Sequence, residues 1–65
     1  MNKLKQKRLS KNLTLEQVAK KLGTTKSNYY KKENGMIKIS IGEAFVLAKI
    51  YDTTVDKLFC DYKVD

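Results

Sequence analysis

Apolar residues recur at helical intervals along most of the chain. Leu15, Val18, Ala19 and Leu22 fall at i, i+3, i+4 and i+7 and make one apolar stripe. Ile41, Ala44, Phe45, Leu47, Ala48 and Tyr51 make a wider stripe, which predicts the helix most surrounded by others. Leu4, Leu9 and Leu13 bring the first segment into the core, and Val55, Leu58 and Phe59 close it from the last. Cap chemistry sets the boundaries. Thr14 stands three residues before Gln17 and Ser40 three before Glu43, the spacing of a capping box. Thr53 stands three before Asp56, with Thr54 an equally good cap. Asn12, Gly23, Gly35 and Asp52 mark the breaks. The pattern predicts helices over 2–11, 15–22, 26–33, 41–51 and 55–59, an all-α fold. No internal repeat or linker interrupts it, so residues 1–65 read as one domain. Cys60, Tyr62 and Val64 alternate with Asp61, Lys63 and Asp65. Two readings stay open there, a short C-terminal β-strand and a frayed terminus.

Composition narrows the functional classes. With one cysteine and no histidine, neither an internal disulfide nor a Cys/His zinc site of ordinary ligand count can form. No metal and no cofactor is expected. No apolar run approaches the roughly 20 residues that a membrane span needs, and the basic start of the chain has no apolar stretch behind it to make a signal peptide. The expectation is a reduced, cytoplasmic protein without a membrane partner. Catalysis would have to rest on Lys, Tyr or one Cys without a visible partner, so an enzyme is not expected.

Charge is unevenly spread. Residues 1–38 hold eleven basic side chains against two acidic ones, Glu16 and Glu33, for a net of +9. Residues 39–65 hold three basic and five acidic, for a net of −2. A folded domain with one strongly basic half suits a polyanion partner, although a lysine-rich solvated surface would give the same count.

The segment 15–33 supplies the missing specificity. Two short helices joined by a tight turn make a helix-turn-helix when a small residue sits where they approach, and Ala19 does. Four residues later Gly23 can take a positive φ, and six further on Tyr29 can anchor the second helix. Thr25 is a good N-cap for that helix, whose first turn then presents free N–H groups and the positive end of its dipole.

These features resemble the Cro/C-repressor (Xre-type) helix-turn-helix family, whose best-known members are lambdoid phage repressors. The resemblance rests on Arg8, Leu13-Thr14, Val18-Ala19, Lys21-Leu22-Gly23-Thr24-Thr25, Glu33-Asn34-Gly35, Ser40-Ile41, Ala44 and Leu47-Ala48-Lys49. It implies a compact five-helix lambda-repressor-like DNA-binding domain, with its third helix in the major groove of double-stranded DNA and two copies related by a two-fold axis.

Site residues follow from the resemblance. Relatives place base-contacting residues at the positions matching Lys26, Ser27 and Lys31. Tyr30, on the same outer side of the third helix, can stack on sugar, touch a thymine methyl or reach a phosphate. The alternative for the lysines is a solvated face or phosphate contact alone. Phosphate contacts are expected from Thr25, Asn28, Asn34, Lys38 and Lys21, with Arg8 and Lys11 as weaker candidates. In relatives the arginine matching Arg8 pairs with the glutamate matching Glu33, and that ion pair is favoured here. Three positions depart from the family pattern. Leu15 replaces a phosphate-binding glutamine that Gln17, two residues on, cannot be assumed to substitute. Lys32 stands where an apolar contact is usual, so that contact is weakened or made by the lysine stem. Ile39 replaces a proline.

One domain of this size buries perhaps ~600–1,000 Å² on DNA, little for tight specific binding. A homodimer on a palindromic operator, with half-sites about 34 Å apart, doubles the contacts. Segment 55–65, with Phe59, Tyr62 and Val64, is the expected dimerisation surface, and Cys60 a small buried hydrophobe. The expected function is transcriptional repression without a small-molecule effector. The competing classes are an antitoxin-like or accessory helix-turn-helix protein that acts through a protein partner, and nonspecific binding to polyanions or membrane surfaces.

Overall fold

The computed structural model describes residues 3–59. They form five helices, α1 (Lys3–Ser10), α2 (Leu15–Leu22), α3 (Lys26–Glu33), α4 (Ile41–Ile50) and α5 (Val55–Phe59), with no strand among the described residues. The all-α reading and all five helices therefore stand, with ends that move by at most a residue. The alternation at 60–65 lies outside the described residues, and with it Cys60, Tyr62 and Val64.

Local chemistry explains the boundaries. At the start of α2 the Gln17 N–H donates to Thr14 Oγ1 (3.1 Å) and the Thr14 N–H donates to Gln17 Oε1 (2.8 Å). Ser40 and Glu43 make the same reciprocal pair at the start of α4 (3.0 and 3.1 Å). Of the two threonines before α5, Thr54 is the cap, accepting from the Lys57 N–H.

The first four helices all end in one geometry. A residue in the left-handed conformation follows each of them: Asn12 (φ 57°), Gly23 (φ 85°), Gly35 (φ 77°) and Asp52 (φ 55°). In each case the next N–H reaches back to a carbonyl five residues earlier, Leu13 to Arg8, Thr24 to Ala19, Met36 to Lys31 and Thr53 to Ala48 (2.8–3.0 Å). This closure satisfies carbonyls that a helix end leaves open and reverses the chain.

The core consists of Leu4, Val18, Ala19, Tyr29, Leu47, Ala48, Tyr51 and Leu58, with Leu13, Leu15, Leu22, Ile39, Ile50, Val55 and Phe59 packed around it. α2 packs on α3 and α4, and α5 on α4 and α1. Two sequence expectations fail here. Leu9 is 54% exposed, because α1 turns its Leu4/Arg8 side inward and the buried place goes to an arginine. The wide stripe on α4 is in fact narrow: Leu47, Ala48 and Tyr51 are buried, while Ile41 is 76% and Phe45 63% exposed. α4 is not the most surrounded helix, since its neighbours α2 and α5 cover one side only.

Candidate nucleic-acid interface

Tyr29 and Glu33 form the inner side of α3 and are both buried. The four positions singled out for base contact, Lys26, Ser27, Tyr30 and Lys31, are all exposed. So are Thr25, Asn28, Asn34, Lys21 and Lys38.

What holds α3 in this rotation is a buried polar network. Arg8 Nε donates to Glu33 Oε2 (2.9 Å) and Arg8 Nη2 to Glu33 Oε1 (3.2 Å), a two-pronged pair that joins α1 to the end of α3. Arg8 Nη1 donates to the Leu13 carbonyl (3.2 Å), so the loop into α2 is tied to the same side chain. This hydrogen-bonded carboxylate raises the guanidinium pKa further above its ordinary value. Arg8 is thus committed inside the molecule. Next to the pair, the Tyr29 and Tyr51 hydroxyls are 2.8 Å apart and buried. Burial, and for Tyr29 also the bond to Tyr51, pushes both phenols well above the ordinary tyrosine range. No pattern in the sequence announces this α3–α4 link, because the partners are 22 residues apart.

The start of α3 is built for an acceptor. Thr25 Oγ1 accepts from the Asn28 N–H (3.1 Å). The N–H groups of Lys26 and Ser27 open the helix and have no carbonyl within it to bond. They point along the positive end of the dipole, where an anion is favoured. At the other end of α3, one amide hydrogen of Asn34 is already spent on the Tyr30 carbonyl (2.9 Å). The other remains available beside Gly35.

The departures from the family pattern find physical answers. Leu15 packs against the core, and Gln17 is occupied by the capping box, its Oε1 bonded to the Thr14 N–H. Lys32 lays its stem inward and its ammonium bonds Glu43 Oε1 (3.1 Å) and the Lys38 carbonyl (3.4 Å). The Ser40 backbone N–H and then Lys32 hold the Glu43 carboxyl below its usual range. An ion pair between α3 and the start of α4 thus takes the place of an apolar contact. The sequence carried a hint of it in the capping-box glutamate, but which lysine would reach it was not legible. Ile39 packs against the core at the entrance to α4. The loop expected to meet phosphate also presents exposed Met36 and Ile37.

No helix is long and apolar enough to cross a membrane, and no cluster of metal-ligating side chains occurs, among the described residues.

Comparison with known proteins gives a consistent result. Residues 4–58 match the family model described as helix-turn-helix. The chain is 39% identical over 54 residues to YobD, an uncharacterized HTH-type transcriptional regulator of Bacillus subtilis, covering 83% of this chain and 48% of the relative. It is 38% identical over 58 residues to an uncharacterized HTH-type transcriptional regulator of Methanocaldococcus jannaschii, covering 89% of this chain and 88% of that one. The chain therefore spans about half the length of the first relative and most of the second. No solved structure matches it.

Proposed function

The chain belongs to this helix-turn-helix family, and from that premise we propose that it is a sequence-specific DNA-binding transcriptional regulator of the cytoplasm, a repressor that acts as a homodimer on a palindromic operator. The observation that carries the reading is the division of α3 into two sides. Tyr29 and Glu33 are locked inward by the buried network, while Lys26, Ser27, Tyr30 and Lys31 stand in solvent. A rigid helix with a cationic outer face fits the major groove. There Lys26 and Lys31 donate to guanine O6 and N7, Ser27 bonds a base edge, and Tyr30 stacks on sugar or meets a thymine methyl. Thr25, Asn28, Asn34, Lys38 and Lys21 surround this face and hold phosphates, which sets register without reading sequence. Repression follows by occlusion of a promoter, and the mechanism calls on no effector, metal or cofactor.

Selection of sites from random duplex DNA tests this directly, with a palindrome as the expected product. Lys26→Ala should change the preferred base at one position in each half-site, at a cost of about 1–3 kcal/mol. Lys38→Ala should weaken all sequences alike and reduce the salt slope by about one. Failure of any sequence to enrich would sink the proposal.

The exposed apolar side of α4 favours a second reading, an antitoxin-like or accessory protein that acts through a protein partner. A salt titration separates the two. A specific regulator keeps roughly 10³-fold or greater preference for its site over random duplex, and an accessory protein does not.

A further inference from the structure

Ile41 and Phe45 are one helical turn apart on α4 and form an apolar ridge in full solvent contact. Alongside that ridge runs a groove of about 490 Å³, with Ile37, Ile39, Ala44, Val55 and Phe59 in its walls. Ridge and groove share Ile41 and lie side by side along one helix. An adjacent projection and recess on one surface is self-complementary under a two-fold axis, because each copy's ridge then meets the other copy's groove.

Charge decides the occupant. Eleven of the basic side chains lie at or before Lys38, so any contact between two copies through α1–α3 sets like charge against like. Around the α4–α5 surface the charges are of mixed sign: Glu43, Asp52 and Asp56 with Lys49 and Lys57. That surface is the one on which a chain of net charge +7 can meet itself. A patch holding an exposed isoleucine and an exposed phenylalanine is also costly to leave in water.

We infer that the α4 ridge of one copy seats in the groove beside α4 of a second copy, and that this contact, centred on Ile41 and Phe45, is the dimer interface. It rests on the homodimer in the proposed function and replaces the terminal segment as that dimer's centre. Because the α3–α4 loop forms one wall of the groove, the contact also fixes the separation of the two α3 helices, and with it the half-site spacing.

The test is sedimentation equilibrium on the full chain, with Ile41→Glu/Phe45→Glu beside the native protein and circular dichroism as the check on folding. Both side chains are outside the core, so the variant should keep its helix content. Its self-association should weaken on the order of 100-fold, as for other central apolar contacts. The native protein's thermal midpoint should rise with concentration, as self-association requires, and the variant's should not. Should the double variant lose its helix content, Phe45→Ser alone serves, with the same expectation. Three results would overturn the inference: a native protein that stays monomeric on its operator, a variant that dimerises as well as native, or removal of residues 60–65 abolishing dimerisation where the variant does not. Amide exchange in α4 that speeds up on that same removal, in a monomer, would assign the groove to the chain's own terminal segment and equally overturn it. DNA selectivity is scored separately on single half-sites. A monomeric variant that still prefers its half-site supports the interface, whereas absence of preference in both proteins condemns the regulator reading and leaves the sedimentation result to judge the interface.

Discussion

The two halves of this domain solve opposite problems. In the α1–α3 half the surface is polar and cationic, and the interior contains an arginine, a glutamate and a tyrosine hydroxyl. In the α4–α5 half the interior is conventionally apolar, and it is the surface that carries the anomaly, an isoleucine and a phenylalanine in solvent. The difference teaches where directional bonding is needed. A helix that must present one side to a partner has to be fixed in rotation. Apolar contacts set its depth, but a two-pronged ion pair and a hydroxyl bond set its angle. A surface meant for non-directional apolar contact needs no such device.

Breaking the buried pair gives the largest effect on the comparison. Arg8→Ala leaves the Glu33 carboxylate, 3% exposed, without its cation, and should cost about 3–5 kcal/mol in urea unfolding. A variant that loses less than about 1 kcal/mol would show that the network orients α3 without stabilising it.

Adjacent apolar residues on α4 sharpen the contrast next. Leu47→Ala removes a wholly buried side chain and should cost about 2–5 kcal/mol. Phe45→Ala, measured at concentrations too low for self-association, should change stability by no more than about 0.5 kcal/mol. Comparable losses at both positions would mean that Phe45 is covered within the monomer.

Tyr29→Phe comes third. It leaves a buried Tyr51 hydroxyl with its bond to Tyr29 removed, at about 1–3 kcal/mol. The two phenols also give the domain an alkaline limit. Their folded pKa values lie above the unfolded one, so the stability they confer is complete below about pH 10 and declines as pH rises beyond it. Tyrosinate absorbance from these two residues should therefore appear together with loss of helix, and in Tyr29→Phe the alkaline decline should be shallower.

Smallest of all is the bridge between the halves. The Glu43 carboxyl is held low by the Ser40 N–H and Lys32. Its contribution is complete above the ordinary carboxylate value of about 4.3 and fades as pH falls through the lowered folded value. Glu43→Gln should cost under about 1 kcal/mol at neutral pH, and that gap should close in acid.

Helix ends and the helix-turn-helix spacing were legible because they depend on neighbours three to five residues away. Thr14, Thr25 and Ser40 bond N–H groups of their own first turn. Asn12, Gly23, Gly35 and Asp52 are residue types that tolerate a positive φ where a helix reverses. The outer side of α3 was legible for a related reason: once Tyr29 is inward, the 3.6-residue repeat assigns Lys26, Ser27, Tyr30 and Lys31 to the outside. What misled was hydrophobicity taken residue by residue. It put Leu9 in the core, where Arg8 sits, and buried Ile41 and Phe45, which do not meet another helix.

The sequence by itself determined the five helices, their caps, the tight turn between α2 and α3, and the basic half of the surface. Each of these depends on local backbone chemistry or on simple counting. Only the tertiary structure decided that an arginine is inside and a phenylalanine outside, that two tyrosines 22 residues apart share a hydrogen bond, and that Lys32 pairs with Glu43. Burial and long-range pairing depend on which elements arrive beside a residue, and a position in the chain carries no record of that until the helices have packed.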